Sequence, residues 1–150
     1  MGKQELIKLF IQEARTYINA PFQHQGRTHN GIDCVGIIIC SARKVGIECP
    51  NIIGYTVSPN AKHMWSLLNQ YMSCIDVKNT KIGDILFMCA NEIRIPQHLA
   101  IRTDKGILHA HSGIGAARGS KITTGKTVEH SFDDFWISKH MATFRFREFM

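Results

Sequence analysis

Apolar residues Ile7, Phe10, Ile11, Ala14 and Ile18 recur at helical spacing between polar neighbours, and Pro21 follows them. This predicts an amphipathic helix over residues 3–18. Residues 22–31 are polar, show no periodicity and include Gly26 and Gly31, so they read as a loop. The loop ends at Asp33, a good N-cap, and a nearly unbroken apolar run over residues 34–45 leads to Gly46. Such a run fits a buried strand or a buried helix. Cap signals at both ends, with Arg43 and Lys44 in the last turn, favour the helix and set Cys34 in its first turn. A polar, proline-bearing stretch over residues 50–59 precedes a third helix, with Asn60 as its cap and Met64, Leu67, Leu68, Tyr71 and Met72 on one side.

From Gly83 the pattern shortens. Residues 84–89, 98–102 and 106–111 are apolar-rich segments separated by turn residues, as in antiparallel strands, and Thr103-Asp104-Lys105-Gly106 is the turn between the last two. A Gly-rich loop over residues 112–126 follows. Ser131-Phe132-Asp133-Asp134 resembles a capping box opening a short helix, and Phe144-Arg145-Phe146-Arg147 alternates like a closing strand. Helices first and strands afterwards predict a segregated α+β domain. The 150 residues, 44% of them hydrophobic, suit one domain over residues 1–150.

The net charge of +6 is spread over eighteen Lys/Arg and favours anionic surroundings without choosing among nucleic acid, lipid headgroups and acidic wall polymers. No zinc-finger or RNA-recognition signature is readable, so specific nucleic-acid binding is not expected. The first residues lack the apolar core of a secretion signal, and no apolar run has the length of a membrane span. The expectation is synthesis in the cytoplasm. Five cysteines without a Cys-x-x-Cys pair argue against a disulfide framework and against structural zinc.

The chemistry therefore turns on which cysteine can become a nucleophile. A thiol attacks as thiolate, and a helix N-terminus or a nearby imidazolium favours that form. Cys34 meets the first condition, whereas Cys40, Cys49, Cys74 and Cys89 lie within or after elements. Gly31 and Gly36 allow close backbone approach on either side of Cys34. A base is also required. With a four-residue turn over Thr103–Gly106, the histidines at 98, 109 and 111 share one sheet face. A three-residue turn would move His109 and His111 to the other face. These three residues lack a water-activating carboxylate at recognisable spacing, which disfavours a metal site; neither metal nor cofactor is expected.

Pro21-Phe22 through Gly26, then Gly31-Ile32-Asp33-Cys34-Val35-Gly36, Lys81-Ile82-Gly83-Asp84-Ile85-Leu86-Phe87, His98-Leu99-Ala100-Ile101 and Gly106-Ile107-Leu108-His109-Ala110 occur in that order. Together they resemble the NlpC-type cell-wall peptidases, especially versions carried by tailed phages and gene-transfer particles. The resemblance implies a papain-like fold, with the nucleophile at a helix N-terminus packed on an antiparallel sheet. It implies Cys34 as nucleophile, His98 as general base and later acid, and His109 as the residue orienting His98. Many relatives have Tyr where this chain has Phe22, so an oxyanion hole here relies on backbone N–H groups near Cys34 and Val35, with Gln23 or Gln25 as helper. Asp33, read from its spacing as a cap, and His111 complete the substrate-side neighbourhood.

The implied substrate is the peptidoglycan stem peptide, cleaved next to a D-glutamyl residue. The implied partners are phage tail proteins, and the setting is a virion tail or the cell wall. Two alternatives share the fold: a tail component whose catalysis is vestigial, favoured by Phe22, and a thiol acyltransferase or amidase.

Overall fold

The computed structural model of the chain describes residues 1–56, 60–89, 94–113 and 125–150. Among these, α1 (Lys3–Arg15), the short strands β1 (Arg27–Thr28) and β2 (Gly31–Ile32), α2 (Cys34–Lys44) and α3 (Ala61–Tyr71) come first. They are followed by β3 (Met72–Ile75), β4 (Ile85–Cys89), β5 (Pro96–Thr103), β6 (Gly106–His111), β7 (Lys126–His130), α4 (Asp134–Lys139) and β8 (His140–Phe146). The larger sheet has six strands in the order β3-β8-β4-β5-β6-β7. Every neighbouring pair is antiparallel. This is the α+β arrangement expected from helices preceding strands.

The sheet has two unequal faces because the strand side chains alternate. On one face Phe87, Leu99, Ile101, Leu108, Ala110 and Phe144 join Phe10 of α1 and Ile37 and Ile38 of α2 in the main core. On the other, Leu86, Met88, Ala100 and Ile107 pack under Trp136 of α4 in a smaller cluster. With cover on both sides, all five residues of β4 are buried. That is why the segment reads as a continuous apolar run instead of an alternating one. Removing a ring as enclosed as Phe87 from water stabilises the fold by about 1.5–3 kcal/mol.

The four-residue turn closes β5 onto β6 with Arg102 opposite Ile107 and Thr103 opposite Gly106. Local expectations differ from the structure at several points, among them β1 and β2, which form within the stretch read as a loop. Helix α1 stops at Arg15, because Asn19 adopts φ 73° and residues 19–20 leave the helix to pair with β7, Asn19 N–H donating to Thr127 O and Thr127 N–H to Ala20 O. The α4 cap is Asp133, which accepts from Trp136 N at 3.2 Å, and not Ser131. Strands β3 and β7 were not anticipated from the periodicity, and both lie at sheet edges. The Gly-rich loop expected over residues 112–126 falls mostly outside the described residues.

Asp84, at the entrance to β4, does more than turn the chain. Its carboxylate is 1% exposed and receives Arg145 in a two-pronged ion pair, Nε to Oδ1 at 2.7 Å and Nη2 to Oδ2 at 2.8 Å. Lys81 N–H adds a third bond to Oδ2 at 2.7 Å. The pair joins the β4 entrance to β8.

Candidate active site

The start of α2 is held by Asp33. Its backbone is extended and its side chain accepts from Gly36 N at 2.8 Å, closing the cap expected from sequence. The same buried carboxylate accepts from Arg27 Nη1 at 3.1 Å, from Gln25 N at 2.7 Å and from the Tyr55 hydroxyl at 2.5 Å. Arg27 also donates to Tyr55 Oη and to Ile52 O. One carboxylate therefore ties the loop before the nucleophile and residues 52–55 to the first turn of α2. Gly36 allows this closeness: a Cβ there would sit 2.5 Å from Gly26 O and 2.8 Å from Ile32 Cγ1. An alanine at 36 must push backbone apart, a misfit of the kind that costs about 1–3 kcal/mol.

The Gln25 amide, expected as an oxyanion helper, is turned elsewhere. Its Nε2 donates to Tyr55 O at 2.9 Å and its Oε1 accepts from Gly54 N at 3.1 Å. Both ends are used to hold residues 54–55. Gln23 lies with its side chain against the Gly31 backbone, and its N–H donates to Ile32 O. Phe22 bridges to Ile32 and packs on the main core, its N–H donating to Gly125 O. Val35 is buried.

Cys34 retains partial exposure. The backbone amides of Leu99, Val35 and Cys34 itself favour its thiolate, but burial and the neighbouring Asp33 carboxylate dominate and push the thiol up to about 12. The expectation that a helix start would make Cys34 the readiest thiolate is thereby corrected for the free chain. Low-dielectric packing outweighs the helix end.

His98 is at the beginning of β5, one residue before Leu99, whose N–H serves Cys34. Adjacent residues of β5 thus serve two groups, the Leu99 N–H the Cys34 thiol and His98 an imidazole cluster on the Trp136 side. His98 Nε2 is 2.6 Å from His109 Nδ1. His111 is 8% exposed, takes a hydrogen bond from Gly113 N at 2.9 Å, and has its ring 6.1 Å from His98 and 5.6 Å from His109. Burial, helped by the neighbouring imidazole of His111, lowers His98 to about 3. Burial and the other three imidazoles around it drive His109 well below the ordinary histidine range. Among the described residues no hydrogen bond joins Cys34 Sγ to His98; such bonds often form only with substrate in place.

Cys34 and His98 are therefore a neutral thiol and a neutral imidazole, not an ion pair. Iodoacetamide should label Cys34 at a rate rising about tenfold per pH unit across the neutral and mildly alkaline range, because the thiolate is a minor species throughout. Mass-spectrometric mapping of the labelled cysteine checks this, and a rate already level near pH 6 would contradict it.

Two participants were not singled out from sequence: Tyr55, which with Arg27 locks Asp33, and His130 at the end of β7, which contacts His109 with Nε2 to Nε2 at 2.8 Å. Arg27, read as a loop residue before Cys34 that could touch an anionic substrate, is instead committed to Asp33 and Tyr55. Lys126-Thr127-Val128-Glu129-His130 does carry an alternating, β-branched signal that would have disclosed β7. Nothing local marks Tyr55, whose partners are more than twenty residues away.

The NlpC/P60 family model matches residues 19–140. No curated protein matches the chain in sequence. Among solved structures, an NLP/P60 family protein described as similar to lipoprotein, from Staphylococcus aureus subsp. aureus Mu50, superposes with TM-score 0.61 at 19% identity. That match covers 95% of this chain and 41% of the other, so the chain spans about two fifths of that protein's length. The NlpC/p60 domain of the peptidoglycan hydrolase SagA gives TM-score 0.60 at 22% identity, covering 91% of this chain and 96% of that one. The peptidoglycan hydrolase RipB from Mycobacterium tuberculosis gives 0.56 at 17%, covering 85% and 65%. These likenesses establish the papain-like fold implied by the motif order.

Proposed function

The chain belongs to the NlpC/P60 family, and from that membership we propose that it is a cysteine peptidase hydrolysing amide bonds in peptidoglycan stem peptides. The observation that supports the reading is that neighbouring residues of β5, His98 and Leu99, serve the imidazole cluster and Cys34 respectively. Cys34 takes the Leu99 N–H, and the neighbouring His98 is held through Nε2 by His109 at 2.6 Å, which leaves Nδ1 for the thiol. The descriptions of SagA and RipB as peptidoglycan hydrolases support the substrate class.

With both partners neutral, proton transfer accompanies attack. Cys34 Sγ bonds to the scissile carbonyl carbon as its proton passes to His98 Nδ1. The carbonyl oxygen becomes an oxyanion, for which the backbone N–H groups at Cys34 and Val35 are the nearest donors of the helix start, since Phe22 has no hydroxyl. The His98 imidazolium protonates the leaving amine as the C–N bond breaks, giving a thioester. His98 then deprotonates a water that attacks the thioester, and the thiol leaves as the carboxylate forms. His109 holds the ring throughout.

The finer parts of the proposal are cleavage next to a D-glutamyl residue and carriage on a phage tail or action at the cell wall. They rest on the motif order, and the +6 charge suits an acidic wall. The experiment is digestion of purified peptidoglycan with product masses and new amino termini determined. Fragments cut after D-glutamate are expected; stem peptides left intact after prolonged digestion overturn the reading. A raised Cys34 thiol and a missing Phe22 hydroxyl favour one rival, a catalytically silent tail component. Intact stem peptides with a folded protein would be its result. An added amine that captures the acyl group better than water does would instead identify an acyltransferase.

A further inference from the structure

The imidazoles of His98, His109 and His130 form a continuous hydrogen-bonded row that ends on a backbone carbonyl. His98 Nε2 is 2.6 Å from His109 Nδ1, His109 Nε2 is 2.8 Å from His130 Nε2, and His130 Nδ1 is 3.0 Å from Ser131 O. A neutral imidazole has one N–H and one lone pair, and a carbonyl oxygen only accepts. With one proton on each ring, these two facts leave one consistent arrangement. His130 must carry its proton on Nδ1 to serve Ser131 O, so its Nε2 is an acceptor. His109 must then donate from Nε2, which makes its Nδ1 an acceptor. His98 must donate from Nε2, and its Nδ1 is left bare.

We propose that His130 is a positioning residue that, through His109, fixes His98 in the tautomer whose free Nδ1 lone pair can take the Cys34 proton. This rests on the peptidase reading for its consequence in catalysis, but the tautomer itself is a property of the free protein. The deduction needs one proton per ring. Burial and mutual repulsion among the clustered imidazoles favour the neutral form of His98 and His109. The fold also builds the row deliberately. His130 is paired with Ile107 across β6 and β7, and Gly106 is required there because a Cβ would collide with His130 O. Trp136 roofs the row, its ring 4.9 Å from His109 and 5.1 Å from His130 by centroid. Held on one side by the sheet and on the other by indole, the rings have little freedom to flip.

The test pairs two substitutions at His130. His130→Phe keeps a ring and loses the acceptor; His130→Gln offers an amide oxygen in its place. In the full chain with 15N-labelled histidine, long-range proton–nitrogen spectra identify which nitrogen of His98 is protonated. Wild type and His130→Gln are expected to show the Nε2–H form. His130→Phe is expected to add the Nδ1–H form and to lose about 10- to 100-fold in kcat on stem peptide with KM little changed, part of the about 10²–10⁴ a positioned base contributes. Wild type with Nδ1–H on His98 overturns the inference even if no variant folds. So does His130→Phe with the wild-type tautomer and kcat, or His130→Gln impaired as much as His130→Phe. The expected tautomers without any hydrolysis, wild type included, uphold the row and overturn the peptidase reading, so the two failures are distinct.

Discussion

Cys34→Ala is expected to bring stem-peptide hydrolysis down by about 10⁴-fold or more while leaving the melting temperature nearly unchanged. The size follows from how a nucleophile and its base act: either alone is nearly useless, so losing one costs almost as much as losing both. His98→Ala should therefore fall to a similar level, and the double substitution should fall little further. Steady-state rates on one defined stem peptide, compared across the three variants, check both statements. Additive losses, each multiplying the other, would mean that Cys34 and His98 do not share a step. The expectation is sharpened by the neutral ground state of the pair. Because burial holds the thiol at about 12 and the imidazole at about 3, neither residue is prepared without the other. Activity should be level across the neutral range, since the required thiol and free-base forms both persist between those limits.

The second large effect is on stability and is remote from the chemistry. Arg145→Ala is expected to destabilise the fold by about 3–5 kcal/mol, because it strips the guanidinium from a carboxylate that stays buried. For a chain of this size that is a fall in melting temperature of about 6–20 °C. Asp84 is 1% exposed, and Lys81 N–H is the remaining partner among those it has in the native fold that lies at its carboxylate. Urea unfolding followed by circular dichroism measures the loss. A change below about 1 kcal/mol would show that the pair is no better than a surface ion pair. The aspartate is thus a buried anchor for β8 as well as a turn residue.

The readable and unreadable parts of this protein divide along the range of the interactions involved. Helix α2 was legible because its signals are local, Asp33 before it, basic residues in its last turn and Gly46 after it. The shared face of His98, His109 and His111 followed from a turn of four residues and the two-residue period of a strand. The end of α1 was not legible, since residues 19–20 leave the helix for a partner, β7, more than a hundred positions away. Shorter but still non-local separations, of 22 to 30 residues, hide the locking of Asp33 by Tyr55 and the loss of Gln25 to residues 54–55. Most instructive is Cys34 itself. Its position at a helix start was visible, but its protonation depends on how tightly the surrounding chain packs, and a helix-end argument applied without burial gave the opposite sign.

The unequal two faces of the sheet bear on how the protein would wear out. The Cys34 side is anchored in the main core, whereas the imidazole row is roofed by a six-residue helix and a small cluster centred on Trp136. Cover of that size opens at a lower free-energy cost than the whole domain does. Warmth or mild denaturant should accordingly disorder His98 before the fold, and spectroscopic half-lives of the secondary structure would overstate how long the proposed active site lasts.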